Sequence, residues 1–258
     1  MRTMTRYPEP TGCTMRFLTP FLLIALLVAQ PLQAQEALST DRPDFTDSPI
    51  TVGQGTLQVE AGLSHQATGN ASLLTTGEGL IRYGLRPGFE LRVGIPSLIS
   101  GDGLDGGLSD MSVGIKWTIA QLENGTDMGL VASTTLPTGS DDFTADDPNP
   151  TVTLALGKPL TQRVSLASQL SSTLFMAGDD WKALWNAAAV LSAPINAQVG
   201  AFAGLKVEQI PDVDARLFIQ AGVTYPVSDD FQLDLHAGTG LNDVSGDEFI
   251  GLGLAFRR

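Results

Sequence analysis

Two histidines, His65 and His236, and one cysteine, Cys13, are all the sequence offers in imidazole and thiol chemistry. Nucleophilic catalysis needs a nucleophile, a base and an orienting group within reach of one another. Asp234 shares a face with His236, but two residues along a strand is a loose approach, and no serine is marked beside the pair. No group of His, Cys or carboxylates has metal-ligand spacing. Catalytic residues, metals and cofactors are therefore all expected to be absent. The acidic tract Asp141, Asp142, Asp146 and Asp147 can be read as a weak divalent-cation site or as a solvated loop, and a run of like charge favours the loop.

The remaining candidates are charges set into apolar segments: Glu60, Glu78, Arg82, Glu90, Arg92, Asp110 and Lys116. Around them the chain alternates with period two. Leu57, Val59, Ala61 and Leu63 interleave with Gln58, Glu60, Gly62 and Ser64, and Phe89, Leu91, Val93 and Ile95 with Glu90, Arg92 and Gly94. Met111 to Ile119, Phe231 to Ala237 and Ile250 to Phe256 follow the same pattern. Such alternation marks strands with one polar and one apolar face. The segments run to about nine to eleven residues, the length of a tilted membrane strand and longer than usual soluble strands. Their polar faces carry Gly, Ser, Thr and Ala with isolated charges, as a lumen would.

Eleven connections separate the segments, near 66–71, 86–88, 97–107, 121–126, 138–150, 159–162, 177–182, 192–196, 208–214, 226–230 and 240–246. Odd-numbered connections are mostly longer and acidic, and even-numbered ones mostly short, as expected of outer loops and periplasmic turns. The fold class is accordingly all-β: a transmembrane antiparallel up-and-down β-barrel of about 12 strands, from residue 56 to 258. Tyr83, Phe89, Trp117, Tyr225 and Phe231 flank the even turns like an aromatic girdle. Taking Arg86-Pro87-Gly88 as a three-residue hairpin, with Gly88 left-handed, sets Leu85 against Phe89, Tyr83 against Leu91 and Ile81 against Val93. Arg82 then lies opposite Arg92. Like charges so placed repel and require acidic neighbours, which Glu90 and Glu60 supply.

In this frame the charged set has two readings. It is a constriction that selects permeants, or a salt-bridge network filling a narrow interior. A second inward set, Phe202, Lys206, Arg216, Phe218, Gln220, Asp234 and His236, falls on strands nine to eleven. Phe202, Phe218, Arg216 and His236 are candidate solute contacts, or simply space-filling as barrel interiors often are.

Residues 1–34 read as a signal peptide with an extended n-region, the start being Met1 or Met15. Arg16 precedes an apolar core from Phe21 to Ala29, too short for the ~20 residues of a spanning helix, and Ala34 suits cleavage. The net charge of −13 becomes −15 on removal of that leader, with 12 basic and 27 acidic residues left. Nucleic acid is an unsuitable partner for such a surface. Cys13 precedes the apolar core, so no lipid anchor and no disulfide are expected. Residues 35–55 form a periplasmic or lumenal segment. Pro43 and Pro49 prevent a continuous strand, and 40–50 are expected to tuck into the lumen as a plug around Asp41, Arg42, Pro43 and Asp44, with Asp41, Arg42 and Asp44 meeting the charges of the first four strands.

The stretch STDRPDFTDSPITVGQGTLQVEAGLSH at 39–65, with GLSDMSVGIKW at 107–117 and LPTG at 136–139, resembles the bacterial family named for the meta-pathway of phenol degradation. Members of that family are described as outer-membrane transporters, and the resemblance spans the chain after its leader. It implies an outer-membrane location, passage of small hydrophobic or aromatic solutes, and outer-membrane lipid and the barrel-assembly machinery as partners. The alternatives are a non-conducting structural or adhesion barrel with a plugged lumen and an outer-membrane lipid hydrolase.

Overall fold

The computed structural model describes residues 38–69 and 71–258, so the leader expected over 1–34 lies outside the described residues. No helix occurs among them. Alternating segments become fourteen strands: β1 (Leu57–Thr68), β2 (Ala71–Arg86), β3 (Phe89–Ile95), β4 (Leu98–Gly101), β5 (Leu104–Leu108), β6 (Met111–Gln121) and β7 (Asp127–Leu136). There follow β8 (Pro150–Pro159), β9 (Ser165–Ala177), β10 (Asp180–Pro194), β11 (Gly200–Gln209), β12 (Arg216–Ser228), β13 (Phe231–Gly240) and β14 (Asp247–Arg257). β3 and β4 pair with successive stretches of β2, and together make one strand of the wall, broken at Pro96-Ser97. β5 and β6 are likewise one strand, broken at Ser109-Asp110. The wall therefore has twelve antiparallel strands, and β1 pairs with β14 to close it. Closure leaves no sheet edge unpaired, which a strand in lipid requires.

The breaks have a common level. β2 carries a bulge at Gly77 (φ 109°) and Glu78 (φ 33°), directly beside the β3–β4 break. The backbone N–H of Glu78 donates to Ser97 Oγ at 3.0 Å, and that of Ser97 to Ser109 Oγ at 2.8 Å. Glu78, four residues from Arg82, points to the same face, where its carboxylate meets Arg42 and Ser64.

The 86–88 turn differs from expectation in one residue. Tyr83 faces Leu91, Ile81 faces Val93 and Arg82 faces Arg92 as the hairpin reading had it, but Phe89 pairs with Arg86 and Leu85 is bulged out. The extra residue keeps the outer register because it adds to the strand what the tighter Pro87-Gly88 turn removes. Gly88 is left-handed, φ 70°. Connection lengths differ more. Only 137–149 is a long odd-numbered loop; much of 97–107 and 177–182 continues the strands as tight hairpins closing at 102–103 and 178–179. Glycines in those stretches read locally as loop, while cross-strand pairing holds them extended.

One rim carries Leu57, which exchanges backbone bonds with Arg258, and the turns 87–88, 122–126, 160–164, 195–199 and 229–230. It is called the terminal rim below, and its opposite the far rim. Outward positions are apolar and exposed, among them Leu91, Ile115, Leu170, Leu191, Leu205, Leu235 and Ile250. Tyr83, Trp117, Tyr225 and Phe256 ring the wall near the terminal rim, with Phe89 paired to Trp117 and Phe231 to Phe256. Trp181 and Trp185, which the sequence reading passed over, stand exposed near the far rim.

Candidate functional site in the barrel lumen

The largest fully buried side chains are Arg82, Lys116, Gln58, Glu60 and Glu90, with Val190 and Ser245. Charge, not hydrocarbon, fills this interior. Alternation explains the placement: with Leu57, Tyr83, Leu91 and Trp117 outward, Gln58, Arg82, Glu90, Arg92 and Lys116 must point inward, and cross-strand register sets Gln58 beside Arg82, Arg82 beside Arg92, and Glu90 beside Lys116.

Residues 38–56 enter this interior as a loop that returns to the terminal rim before β1. Every N–H of the Arg82 guanidinium is bonded. Nε and Nη2 donate to Glu90 at 2.8 and 3.0 Å, Nη1 to Glu60 Oε1 at 3.0 Å and to the Ser39 carbonyl at 2.8 Å, and Nη2 also to the Ile50 carbonyl at 3.0 Å. A guanidinium has five such donors, so none is left over. Glu60 in turn accepts the backbone N–H groups of Asp41 and Arg42, and Glu90 that of Val52 at 2.7 Å. The wall thus grips the segment by its main chain at both ends.

The two arginines that face each other are neutralised by acids between them. Glu90 Oε1 accepts from Arg82 Nε and from Arg92 Nη1 at 3.2 Å. Asp41 adds a second anion: it accepts from Arg92 Nη1, lies 3.7 Å from Arg82, and receives Lys116 Nζ on both oxygens at 2.7 and 2.9 Å. Burial pushes the Asp41 carboxyl up, but Arg82, Arg92 and Lys116 together hold it well below the usual carboxylate range. Arg42 reaches across the lumen, donating to Glu78 at 2.8 Å and approaching Asp234 at 3.5 Å. Asp47 takes Arg92 Nη2 at 3.2 Å. Asp44 does not meet the wall charges; it accepts from the backbone and hydroxyl of Thr46 within its own segment. The Pro43 carbonyl receives Gln220 Nε2 at 3.0 Å.

Glycine lets the segment lie this close. A Cβ on Gly62 would stand 2.5 Å from Arg42 Cζ, and one on Gly129 would stand 2.7 Å from the Pro49 Cα. Sequence reading took such inward glycines as generic lumen residues; only the segment's path shows that they are its bed.

Asp110, grouped with the lumenal charges from sequence, is elsewhere. Its carboxylate is exposed and accepts backbone N–H groups of Thr138, Gly139 and Ala145 at 2.8 to 2.9 Å, tying down the 137–149 loop. The break at Ser109-Asp110 interrupts the alternation that would have turned it inward. Arg82 and Arg92 likewise face no open path, since the segment covers both.

The wall from β10 to β13 has a different lining. Phe202 and Phe218 are buried, and the Phe202 ring lies over Gly222. Lys206 Nζ sits 4.8 Å from the Phe45 ring and 4.6 Å from Phe218, within cation–π range, and bonds Glu208 at 2.8 Å. Arg216 lies 4.9 Å from the same Phe218 ring and 3.3 Å from Glu208. Phe45 and His236 both pack against Phe249. His236 Nδ1 is 3.9 Å from Asp234, beyond hydrogen-bond reach, so the pair lacks the contact that orients a catalytic base. Among the described residues no group of His, Cys, Asp and Glu could hold a metal ion.

Space remains on two sides of the segment. A cleft of about 320 Å³ lies between Arg42 and Pro43 and the wall at Ala193, Ala201, Phe202 and Gln232. Another of about 470 Å³ separates residues 38–50 from Gly157, Lys158 and Leu166.

Solved structures share this architecture. An outer membrane channel from Pseudomonas putida F1 is 16% identical with a TM-score of 0.63, covering 84% of this chain and 99% of that one. The NanC porin has a TM-score of 0.57 at 8% identity over 77% of this chain and 98% of its own, and the KdgM porin 0.54 at 11% over 76% and 98%. At these identities the likeness is one of fold. No curated protein matches the chain by sequence. A family match does, running from the inserted segment through the last strand: residues 40–257 fit the family described as "Putative MetA-pathway of phenol degradation", and the chain belongs to it.

Proposed function

We propose that this protein is a passive outer-membrane channel for small solutes with a hydrophobic or aromatic body, its terminal rim facing the periplasm. The observation that carries the reading is the inversion of the barrel: apolar residues cover the outside, while the most buried large side chains are ionic or polar. A soluble barrel buries its hydrocarbon; a membrane barrel turns it to lipid and keeps a polar interior. The channel and porins that share the fold support conduction as the use of such an interior. The aromatic preference rests on Phe202, which lines one of the open clefts, on the cleft volumes, which fall in the ~300–1,000 Å³ range of small-molecule sites, and on the phenol-degradation pathway in the family's description.

A second reading, a non-conducting structural barrel, is favoured by one feature: the Ser39 and Ile50 carbonyls of the segment complete the bonding of the five Arg82 donors, so the segment is built into the interior. Planar-bilayer recording on the purified protein separates the two. Discrete conductance steps, with uptake of a single-ring aromatic compound exceeding that of a sugar of similar size in cells carrying the protein, are expected of a channel. A silent bilayer and uptake equal to cells lacking the protein would leave the structural reading.

A further inference from the structure

We propose that Arg82, Arg92 and Lys116 form a carboxylate-binding site for monoanionic solutes, and that Asp41 holds this site in the solute's place while the N-terminal segment is in the lumen. The inference deepens the channel reading and rests on it.

Three wall strands contribute one cation each, Arg82 from β2, Arg92 from β3 and Lys116 from β6, and all three converge on one carboxylate that belongs to the inserted segment. The roles are unequal. Arg82 has its donors taken by Glu60, Glu90 and backbone carbonyls and adds charge. Arg92 and Lys116 supply the hydrogen bonds, and among the described residues every bond of Lys116 Nζ goes to Asp41. Within this patch the wall offers three cations against two anions, Glu60 and Glu90. The segment supplies negative charge through Asp41, which reaches all three cations, and through Asp47, which bonds Arg92. A buried cation stripped of its partner is strongly destabilising, so withdrawal of the segment leaves a site that one added anion would neutralise. A monocarboxylate matches both the charge and the two-oxygen shape that Asp41 presents; a dianion overshoots. The cleft against Pro43 and Phe202 is also lined by Thr40 and Arg42, the chain neighbours of Asp41, giving an apolar body somewhere to lie.

The site also explains how a segment so firmly bonded can leave. Its anchors at this point are the interactions a solute carboxylate would make, so exchange costs far less than removal.

The test uses full-length D41A in detergent, titrated with benzoate, acetate, benzamide and inorganic phosphate while heat-induced unfolding and calorimetric binding are followed. Benzoate and acetate should bind D41A at least tenfold more tightly than wild type and raise its unfolding temperature. Benzamide, which has the ring without the charge, should do neither, and adding K116A should abolish the effect. Equal binding to D41A and wild type, survival of binding in D41A/K116A, or phosphate matching benzoate would overturn the proposal. Should D41A not assemble, S39C in the otherwise native protein gives a second readout. Benzoate, but not benzamide, should speed alkylation of that thiol several-fold by displacing the segment, and an unchanged rate overturns the proposal equally. Conductance measured on the same preparations keeps the two readings apart: a conducting protein without carboxylate binding loses the site, whereas carboxylate binding in a silent protein loses the channel and with it any role for the site in permeation.

Discussion

Across β1 to β6 the inward positions hold Gln58, Glu60, Arg82, Glu90, Arg92 and Lys116; across β10 to β13 they hold Ala188, Val190, Phe202, Phe218, Gln220, Asp234 and His236. Both sectors obey the same alternation and both turn hydrocarbon to the outside, yet they treat the inserted segment differently. The first binds it by charge-assisted hydrogen bonds to backbone and side chains. The second touches it through single, separate contacts, Gln220 to Pro43, Asp234 to Arg42 at 3.5 Å and Lys206 to the Phe45 ring, and leaves a cleft at its foot. A plug gripped on one side and loosely met on the other has a direction in which it can give way. Apolar packing on both sides would not create that asymmetry.

The largest expected effect comes from breaking the gripping sector at its centre. Arg82→Ala strands Glu60 and Glu90 inside the wall, and removing one partner of a buried pair costs about 3–5 kcal/mol. Urea-induced unfolding in detergent should shift accordingly, and protease should cut within 38–52 where it spares the native protein. Arg82→Lys should recover only part of this, because an ammonium cannot reproduce the two-pronged bond to Glu90. A variant as stable as wild type would mean that the Arg82 network does not hold the segment.

Gly62→Ala probes the same sector without touching a charge. The nearest atoms the new Cβ would meet belong to the Arg42 guanidinium, the flexible end of a side chain in the segment. The barrel should fold normally, with a cost of about 1–3 kcal/mol for the crowded contact, while the Arg42 bonds to Glu78 and Asp234 are lost. Larger or noisier conductance from a barrel that stays folded is expected, and R42A should reproduce it. Conductance identical to wild type in both variants would place the barrier elsewhere in the lumen.

Phe202→Ala together with Phe218→Ala sharpens the other half of the comparison. If that sector meets the solute body, uptake of ring-bearing compounds should fall several-fold while sugar uptake holds or rises. A parallel change in both would make the rings spacers only.

The sequence made the wall legible and the interior only half so. Period-two alternation names the inward face strand by strand, and the register at Tyr83–Leu91 and Arg82–Arg92 follows from keeping one face apolar. It also points to Glu90 and Glu60 as acids beside the arginines, though not to Asp41, which joins Glu90 between them. What it does not carry is anything joining distant parts of the chain. The approach of Arg42 to Asp234 spans 192 residues, and no local pattern marks Gly62 or Gly129 as the bed of the segment. The Leu85 bulge escaped because two turn geometries give the same outer register. Asp110 escaped for the opposite reason: a strand break suspends the alternation on which its assignment depended.

That misplaced aspartate supports the smallest prediction, and it tests whether the far rim works independently of the lumen. Asp110 holds the 137–149 loop through the N–H groups of Thr138, Gly139 and Ala145. What burial it has pushes its carboxyl up, but the donors from Ala145, Gly139 and Thr138 and the Thr144 hydroxyl outweigh this and bring it below its ordinary value. A carboxylate whose pKa is lower in the folded state adds stability that is complete above its unfolded pKa, about 3.9, and is lost as pH falls through the lower folded value. The loop should therefore stay pinned at neutral pH and loosen only in strong acid. Asp110→Asn should loosen it at every pH and abolish the dependence. Protection of the Gly139 and Ala145 amides against hydrogen exchange, followed with pH, is the direct measurement. Conductance at neutral pH should scarcely change in Asp110→Asn, because exposed charges at the rim are screened within about 8 Å at physiological salt whereas the buried lumenal set is not. A large conductance change in that variant would tie the loop to the path and erase the distinction between rim and lumen.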